Sequence, residues 1–192
     1  MKIEALREKL ANTLSPTRFQ HSLRVMGFAR ELARHYQIAE DAVVIAAFLH
    51  DVAREVRGQE VLELAETYHL PVLPVERRAP VLLHGRVGAE VLKREWAITD
   101  ESILKAVAMH VTGAPKMDPI AELTLIADFA EPNRPFFAAE VARKLAFTTR
   151  QTVLRYIFTQ KIRYILDAGF LLHPLTIEAR NHLMEESGGE KE

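Results

Sequence analysis

Apolar residues along this chain recur every three or four positions through nearly every segment, and no stretch alternates with the period of two that a half-buried strand requires. The pattern predicts a short amphipathic helix over 3–13. Ser15-Pro16 then supplies a cap and a first-turn proline for a helix from Pro16 to about Tyr36. Asp41 opens an apolar helix that carries His50-Asp51, and Gly58 ends or interrupts it. A short helix is expected over 59–68. The prolines of HLPVLPVERRAP, from His69 to Pro80, read as a loop. Further helices are expected from Val81 or His84 to Trp96, from a Thr99 cap to about His110, from Asp118-Pro119 to Ala130, over 138–147 and over 150–168. Thr176 begins the last one. The expected architecture is all-α, one helical domain over 1–186, with a disordered tail over 187–192.

Polar residues interrupt this pattern where they are most costly. In AVVIAAFLHD, His50 and Asp51 follow eight consecutive apolar residues. A helix apolar all round is central to its bundle, and an ionised carboxylate there needs compensation. His21 shares a helix stripe with Val25, Phe28 and Leu32. His84 stands in LLHGRVGAEVL, where Gly85 and Gly88 allow close approach of a backbone or a ligand. His110 ends ILKAVAMH, and Asp128 lies inside LTLIADFA. His35, His69, His173 and His182 fall in polar or loop-like surroundings and receive no chemistry.

A single buried histidine is more often a hydrogen-bonded core residue than a ligand. Six such groups from separate helices need a common explanation, and the sequence offers few buried cations near them. A divalent metal neutralises both carboxylates and satisfies the ring nitrogens together. The chain has no cysteine, so disulfides and thiolate ligands are excluded. Ligation by imidazole and carboxylate suits iron, manganese, cobalt or zinc. Six ligands exceed what one ion with an open position holds. They fit two ions in a helical bundle, with Asp51 as the bridge.

Composition narrows the rest. At 48% hydrophobic, 27% charged and a formal net charge of -1, the chain has no global field that would draw nucleic acid or an anionic membrane. No apolar run reaches the ~20 residues of a membrane span, and the N-terminus lacks a signal-peptide core. A cytoplasmic setting is expected. Candidate phosphate-binding cations are Arg18, one turn before His21; Arg54, one turn after His50; Arg86; Lys116; and Arg134 in AEPNRP. Thr112, beside His110, is a weaker candidate that a plain helix stop explains equally well. Phe136 and Phe137 in PNRPFF are expected in core or dimer packing, with base stacking as the alternative. No P-loop is present.

RFQHSLRV (18–25), AAFLHDVAR (46–54), LLHGRVGAEV (82–91), MHVTGAPKM (109–117) and IADFAEPNRPF (126–136) arrive in one order. Together they resemble the HD-domain phosphohydrolase superfamily, and within it the YqeK-type branch. The resemblance covers roughly 1–170 and implies an iron-dependent, or similar metal-dependent, hydrolase that cleaves diadenosine tetraphosphate symmetrically to two ADP. It implies that His21, His50, Asp51 and Asp128 hold the main metal, and that His84 and His110 share Asp51 around a second. Asp51 and Arg54 would serve catalysis, with Arg54 standing where the branch often has lysine and Phe129 where it often has tyrosine. A nucleotide is the implied partner, and a homodimer is compatible with such a protein. Alternatives are an HD-type nucleotidase or phosphodiesterase on another nucleotide, a non-catalytic metal-dependent nucleotide-binding module, and a purely structural bundle.

Overall fold

The computed structural model describes residues 3–186; the tail over 187–192, expected to be disordered, lies outside the described residues. The helices are α1 (Ile3–Thr13), α2 (Pro16–His35), α3 (Glu40–Leu49), α4 (Gln59–Thr67), α5 (Pro74–Arg78), α6 (His84–Glu95), α7 (Glu101–Met109), α8 (Pro119–Ala130), α9 (Phe137–Leu145), α10 (Arg150–Asp167) and α11 (Pro174–Glu185), with a 3₁₀ turn over Pro80–Leu83. Among the described residues there is no strand. No helix there is long and apolar enough to cross a membrane.

The all-α expectation holds, with instructive local differences. The apolar helix α3 stops at Leu49, so the His50-Asp51 pair occupies the turn after it. Ser15 stands at the start of α2, but its hydroxyl donates to Glu55 Oε1 at 2.5 Å instead of capping that helix. Its N–H donates to Glu55 Oε2 at 2.7 Å. One carboxylate thereby ties the turn that follows Asp51 to the start of α2. Asp100, not Thr99, caps α7 by accepting from Ser102 N at 2.9 Å. The proline-rich stretch 69–80 holds α5, whose Glu76 carboxylate accepts from Leu73 N at 2.8 Å. The last helix begins at Pro174, two residues before Thr176, because His173 Nδ1 caps it by accepting from Leu175 N. His173 is therefore buried, not in the polar surroundings its sequence context suggested.

α3 is the axis of the molecule and packs against α2, α7 and α8. Its Val43 and Ala47 join one apolar cluster with Phe28, Leu32, Ile126 and Phe158. Its Phe48 and Leu49 join another with Leu10, Leu83, Leu92 and Leu104. Each fully buried Leu or Phe contributes about 1.5–3 kcal/mol, which explains how a helix lacking polar residues through its last two turns is held in place. The two clusters grip α3 from both sides, and the polar groups emerge where it ends.

Close approach of α6 and α7 depends on Gly85. A Cβ there would lie 2.9 Å from both Val107 O and Val111 Cγ2. Gly85 serves a neighbouring backbone, and Gly88 faces the side chains of Val52, Val107 and Ala53. Gly113, at φ +70°, needs glycine on two counts: its left-handed backbone, and the Phe158 ring against its α-carbon. Gly85→Ala should destabilise the protein by ~1–3 kcal/mol through overpacking. Urea unfolding of metal-free protein, with an unchanged m-value, would measure it.

Candidate metal centre

The four candidate histidines are presented by two devices. At the C-terminal ends of α3 and α7 the last carbonyls lack helical partners. His50 Nδ1 turns back to donate to Ala47 O at 2.7 Å, and His110 Nδ1 donates to Val107 O at 2.7 Å. His84, at the junction of the 3₁₀ turn and α6, repeats this with Val81 O at 2.5 Å. In all three rings Nδ1 carries a proton held by a carbonyl, and Nε2 faces inward. His21, inside α2, has no free carbonyl behind it. Its Nδ1 instead lies 3.3 Å from Glu131 Oε1. Glu131 is itself oriented by Arg24 Nε at 3.1 Å and Asn133 N at 2.7 Å. Carboxylate support of a ring nitrogen turned away from the metal is a common way to orient a ligand.

The inward atoms converge. His21 Nε2 is 3.0 Å from Asp128 Oδ1, and His50 Nε2 is 3.5 Å from the same oxygen. Asp51 faces two ways: Oδ2 lies 3.6 Å from His50 Nε2, while Oδ1 lies 3.3 Å from His84 Nε2 and 3.7 Å from His110 Nε2. Three overlapping groups have ligating atoms within 4.8 Å of one another: His21–His50–Asp51, His50–His110–Asp128 and Asp51–His84–His110. Asp51 is in two of them.

Donor chemistry tests whether a metal suits this place. His50 Nε2 is buried and has no hydrogen-bond partner. His84 Nε2 and His110 Nε2 face each other at 3.0 Å although both rings already donate through Nδ1. Two neutral rings would meet there lone pair to lone pair, and either a proton or a metal ion between them removes that repulsion. Neighbouring ligands ~2.1 Å from one ion at right angles are separated by about 3.0 Å. The donors fit a divalent metal.

Electrostatics agree. Burial pushes the His50 ring down, but Asp51 and Asp128 outweigh it and raise its pKa to about 9. Burial also governs His110, and the opposing pull of Asp51 leaves it at about 4. Burial would raise the Asp51 carboxyl, yet His50, His110 and His84 hold it far below the usual range. Asp128 is likewise held well down, with His21 and His50 overcoming burial.

Cations also reach the carboxylates, more than the sequence suggested. Arg18 Nη1 lies 3.1 Å from Asp51 Oδ2, and Arg134 Nη2 lies 2.6 Å from Asp128 Oδ1. Both enter from the solvent side, and with Arg54 they line the mouth of a cavity of about 210 Å³ over the cluster. Lys161 of α10 lines it too, with Nζ donating to Val111 O at 2.6 Å. Lys161 and Glu131 escaped the sequence reading. Glu131 lies just past the end of α8, where no helical spacing marks it, and Lys161, on a distant helix, carried no local signal.

Three sequence candidates are not brought to the cluster. Arg86 donates to Glu76 at 3.0 and 3.2 Å and to Pro71 O at 2.8 Å, binding α5 to α6. Thr112 is buried, with its hydroxyl on Gly113 O at 2.9 Å. Lys116 is exposed, at φ 55° in the loop before α8. Phe136 and Phe137 are 41% and 78% exposed, so they are not core residues.

An all-helical scaffold that gathers histidines around an HD pair defines a class. Residues 18–133 match the HD domain family model, and the chain belongs to that family of metal-dependent phosphohydrolases. It is 30% identical over 174 residues to the symmetrical bis(5'-nucleosyl)-tetraphosphatase of Bacillus subtilis, covering 91% of this chain and 93% of that one. It is 30% identical over 173 residues to the protein of the same name from Halalkalibacterium halodurans, covering 90% and 92%. A crystal structure described as that of a predicted HD superfamily hydrolase involved in NAD metabolism, from Clostridium acetobutylicum, superposes with a TM-score of 0.93 at 33% identity, covering 97% and 98%.

Metal loading should depend on pH with a defined sign. With a pKa near 9, above its ordinary ~6.5, His50 is protonated at neutral pH in metal-free protein. Its contribution to metal-free stability is full below ~6.5 and is lost as pH rises through 9. A metal must displace that proton. Calorimetric titration with Mn²⁺ in buffers of different ionisation enthalpy should show proton release at pH 7 and tighter binding from pH 6 to 9. Binding indifferent to pH would contradict the assignment of His50.

Proposed function

We propose that this protein hydrolyses diadenosine tetraphosphate symmetrically to two ADP. The supporting observation is the convergence of four inward imidazole nitrogens on Asp51 and Asp128, beneath a rim of cations. The names of the B. subtilis and H. halodurans relatives supply the substrate class.

In this reading, His21, His50, Asp51 and Asp128 would hold one ion, and Asp51, His84 and His110 a second. Iron is the ion proposed, and manganese, cobalt and zinc suit the same donors. A divalent ion held there supplies Lewis acidity and lowers the pKa of a water enough to give hydroxide near neutral pH. The remaining work belongs to the chain. Arg18 and Arg134 already face the two carboxylates and would turn their remaining donors to phosphate oxygens. Arg54, half-buried at the mouth, would donate in a planar fork to two oxygens of one phosphate. Fixed cations at the bridging oxygens stabilise the charge that builds there as the P–O bond breaks. Anchoring Nδ1 on Ala47, Val81, Val107 and Glu131 leaves each Nε2 free to hold the ion. Residues 1–186 would act as one domain, in the cytoplasm, on a small nucleotide and without nucleic acid or membrane partners; a homodimer is compatible with this.

The direct test is anaerobic purification, elemental analysis and chromatography of the products from a nucleotide panel. ADP should be the only nucleotide released from diadenosine tetraphosphate; AMP with ATP would overturn symmetrical cleavage. Asp51→Ala should remove bound metal and turnover together, measured by elemental analysis and steady-state rates. Arg54→Ala should retain metal and lower kcat/KM about 10- to 100-fold, the equivalent of the ~1.5–3 kcal/mol carried by a hydrogen bond to a charged group.

A further inference from the structure

The cavity over the metal centre continues in two unlike directions. Toward α10 it shares His110, Asp128, Arg134 and Lys161 with a second space of about 210 Å³. That space in turn shares Phe129, Phe136 and Lys161 with a cavity of about 590 Å³ between α8 and α10, a usual size for a small-molecule site. In the other direction, Arg18 and Arg54 lead into a groove with Arg57, and no aromatic ring lines it.

The larger cavity is built unlike ordinary surface. Phe129 and Phe136 meet edge to face, with centroids 5.3 Å apart, and form an apolar wall. Tyr164 of α10 lines it too and is 65% exposed. Gln160 and Asp167 add an amide and a carboxylate among its lining groups, the chemistry that reads a base edge or accepts from ribose hydroxyls. Lys161 joins this cavity to the metal centre. Its Nζ is anchored on Val111 O at 2.6 Å, beside His110, and an ammonium has two further protons to donate.

We propose that the cavity of Phe129, Phe136 and Tyr164 binds the nucleoside of one half of the substrate, and that Lys161 binds the phosphate attached to it. The other half lies along the arginine groove, held through phosphate with its base unstacked. A symmetrical molecule is thereby bound asymmetrically. This rests on the reading of the protein as a nucleotide polyphosphate hydrolase and adds where the base goes. Stacking on an aromatic side chain tolerates any base, so the pocket favours nucleotides over bare polyphosphate without strict base choice.

Binding of ADP and of inorganic pyrophosphate to the Mn²⁺-loaded protein, measured by calorimetry, tests the proposal. Wild-type protein should bind ADP at least about tenfold tighter than pyrophosphate, as stacking would give. Tyr164→Ala, at an exposed position that folding tolerates, should weaken ADP about tenfold and leave pyrophosphate unchanged. Lys161→Gln, with an unchanged melting temperature as the check on folding, should weaken both. Equal affinity of wild-type protein for the two ligands would overturn the proposal, as would Tyr164→Ala with unaltered ADP binding. Tyr164→Ala that changes only the oligomeric state by light scattering would mark this face as a contact between copies and overturn it too. Base-dependent ADP binding without cleavage of diadenosine tetraphosphate would sink the proposed reaction and leave the pocket standing. Cleavage to ADP without base-dependent binding would do the reverse.

Discussion

Asp51 sits at the end of an apolar helix, almost fully buried, with three imidazole nitrogens within 3.7 Å of its oxygens. A lone carboxylate in that position would cost several kcal/mol, and neutral His84 and His110 rings would meet lone pair to lone pair at 3.0 Å. Each half of this arrangement is unfavourable alone, and a divalent ion between them resolves both at once. The rest of the molecule can be understood as the apparatus that keeps those atoms facing one another. The two apolar clusters clamp α3, the clasp of Ser15 on Glu55 fixes the turn that follows it, and Gly85 lets α6 and α7 close until two histidines touch.

Orientation is obtained cheaply and repeatedly. Three rings use the carbonyl three residues behind them as a proton anchor, so one local rule at a helix junction sets three tautomers. His21, placed mid-helix, lacks that carbonyl, and a buried glutamate from beyond α8 does the same work. The segment after the family's matched region contributes as well. Lys161 anchors to Val111, Thr176 donates to Thr112 O at 2.9 Å, and His173 lies 3.5 Å from the Glu76 that holds Arg86. The C-terminal helices therefore brace the wall that carries His84 and His110.

Much of this was legible in the chain. The 3.6-residue period gave the helices, because burying one stripe of a helix writes its spacing directly into the order of residues. The six candidate ligands stood out because His and Asp inside apolar runs violate that pattern, and such violations persist where function compensates their cost. Local competition moved some boundaries: Asp100 outdoes Thr99 as a cap, and His173 starts α11 early. Arg86 misled because a cation two residues from a ligand looks alike whether it meets phosphate or a buried glutamate. Glu76 decides that, from ten residues away.

The sequence by itself determined the fold class, the positions of the apolar faces and the inventory of metal-capable donors, since each is a property of local composition and period. Only the tertiary structure decided which nitrogen of each ring faces inward, that Asp51 divides its oxygens between two sets of histidines, and that Glu131 and Lys161 belong to the site. Those depend on distances between segments up to 110 residues apart in the chain, and through-space proximity of that kind leaves no periodic trace in the order of the amino acids.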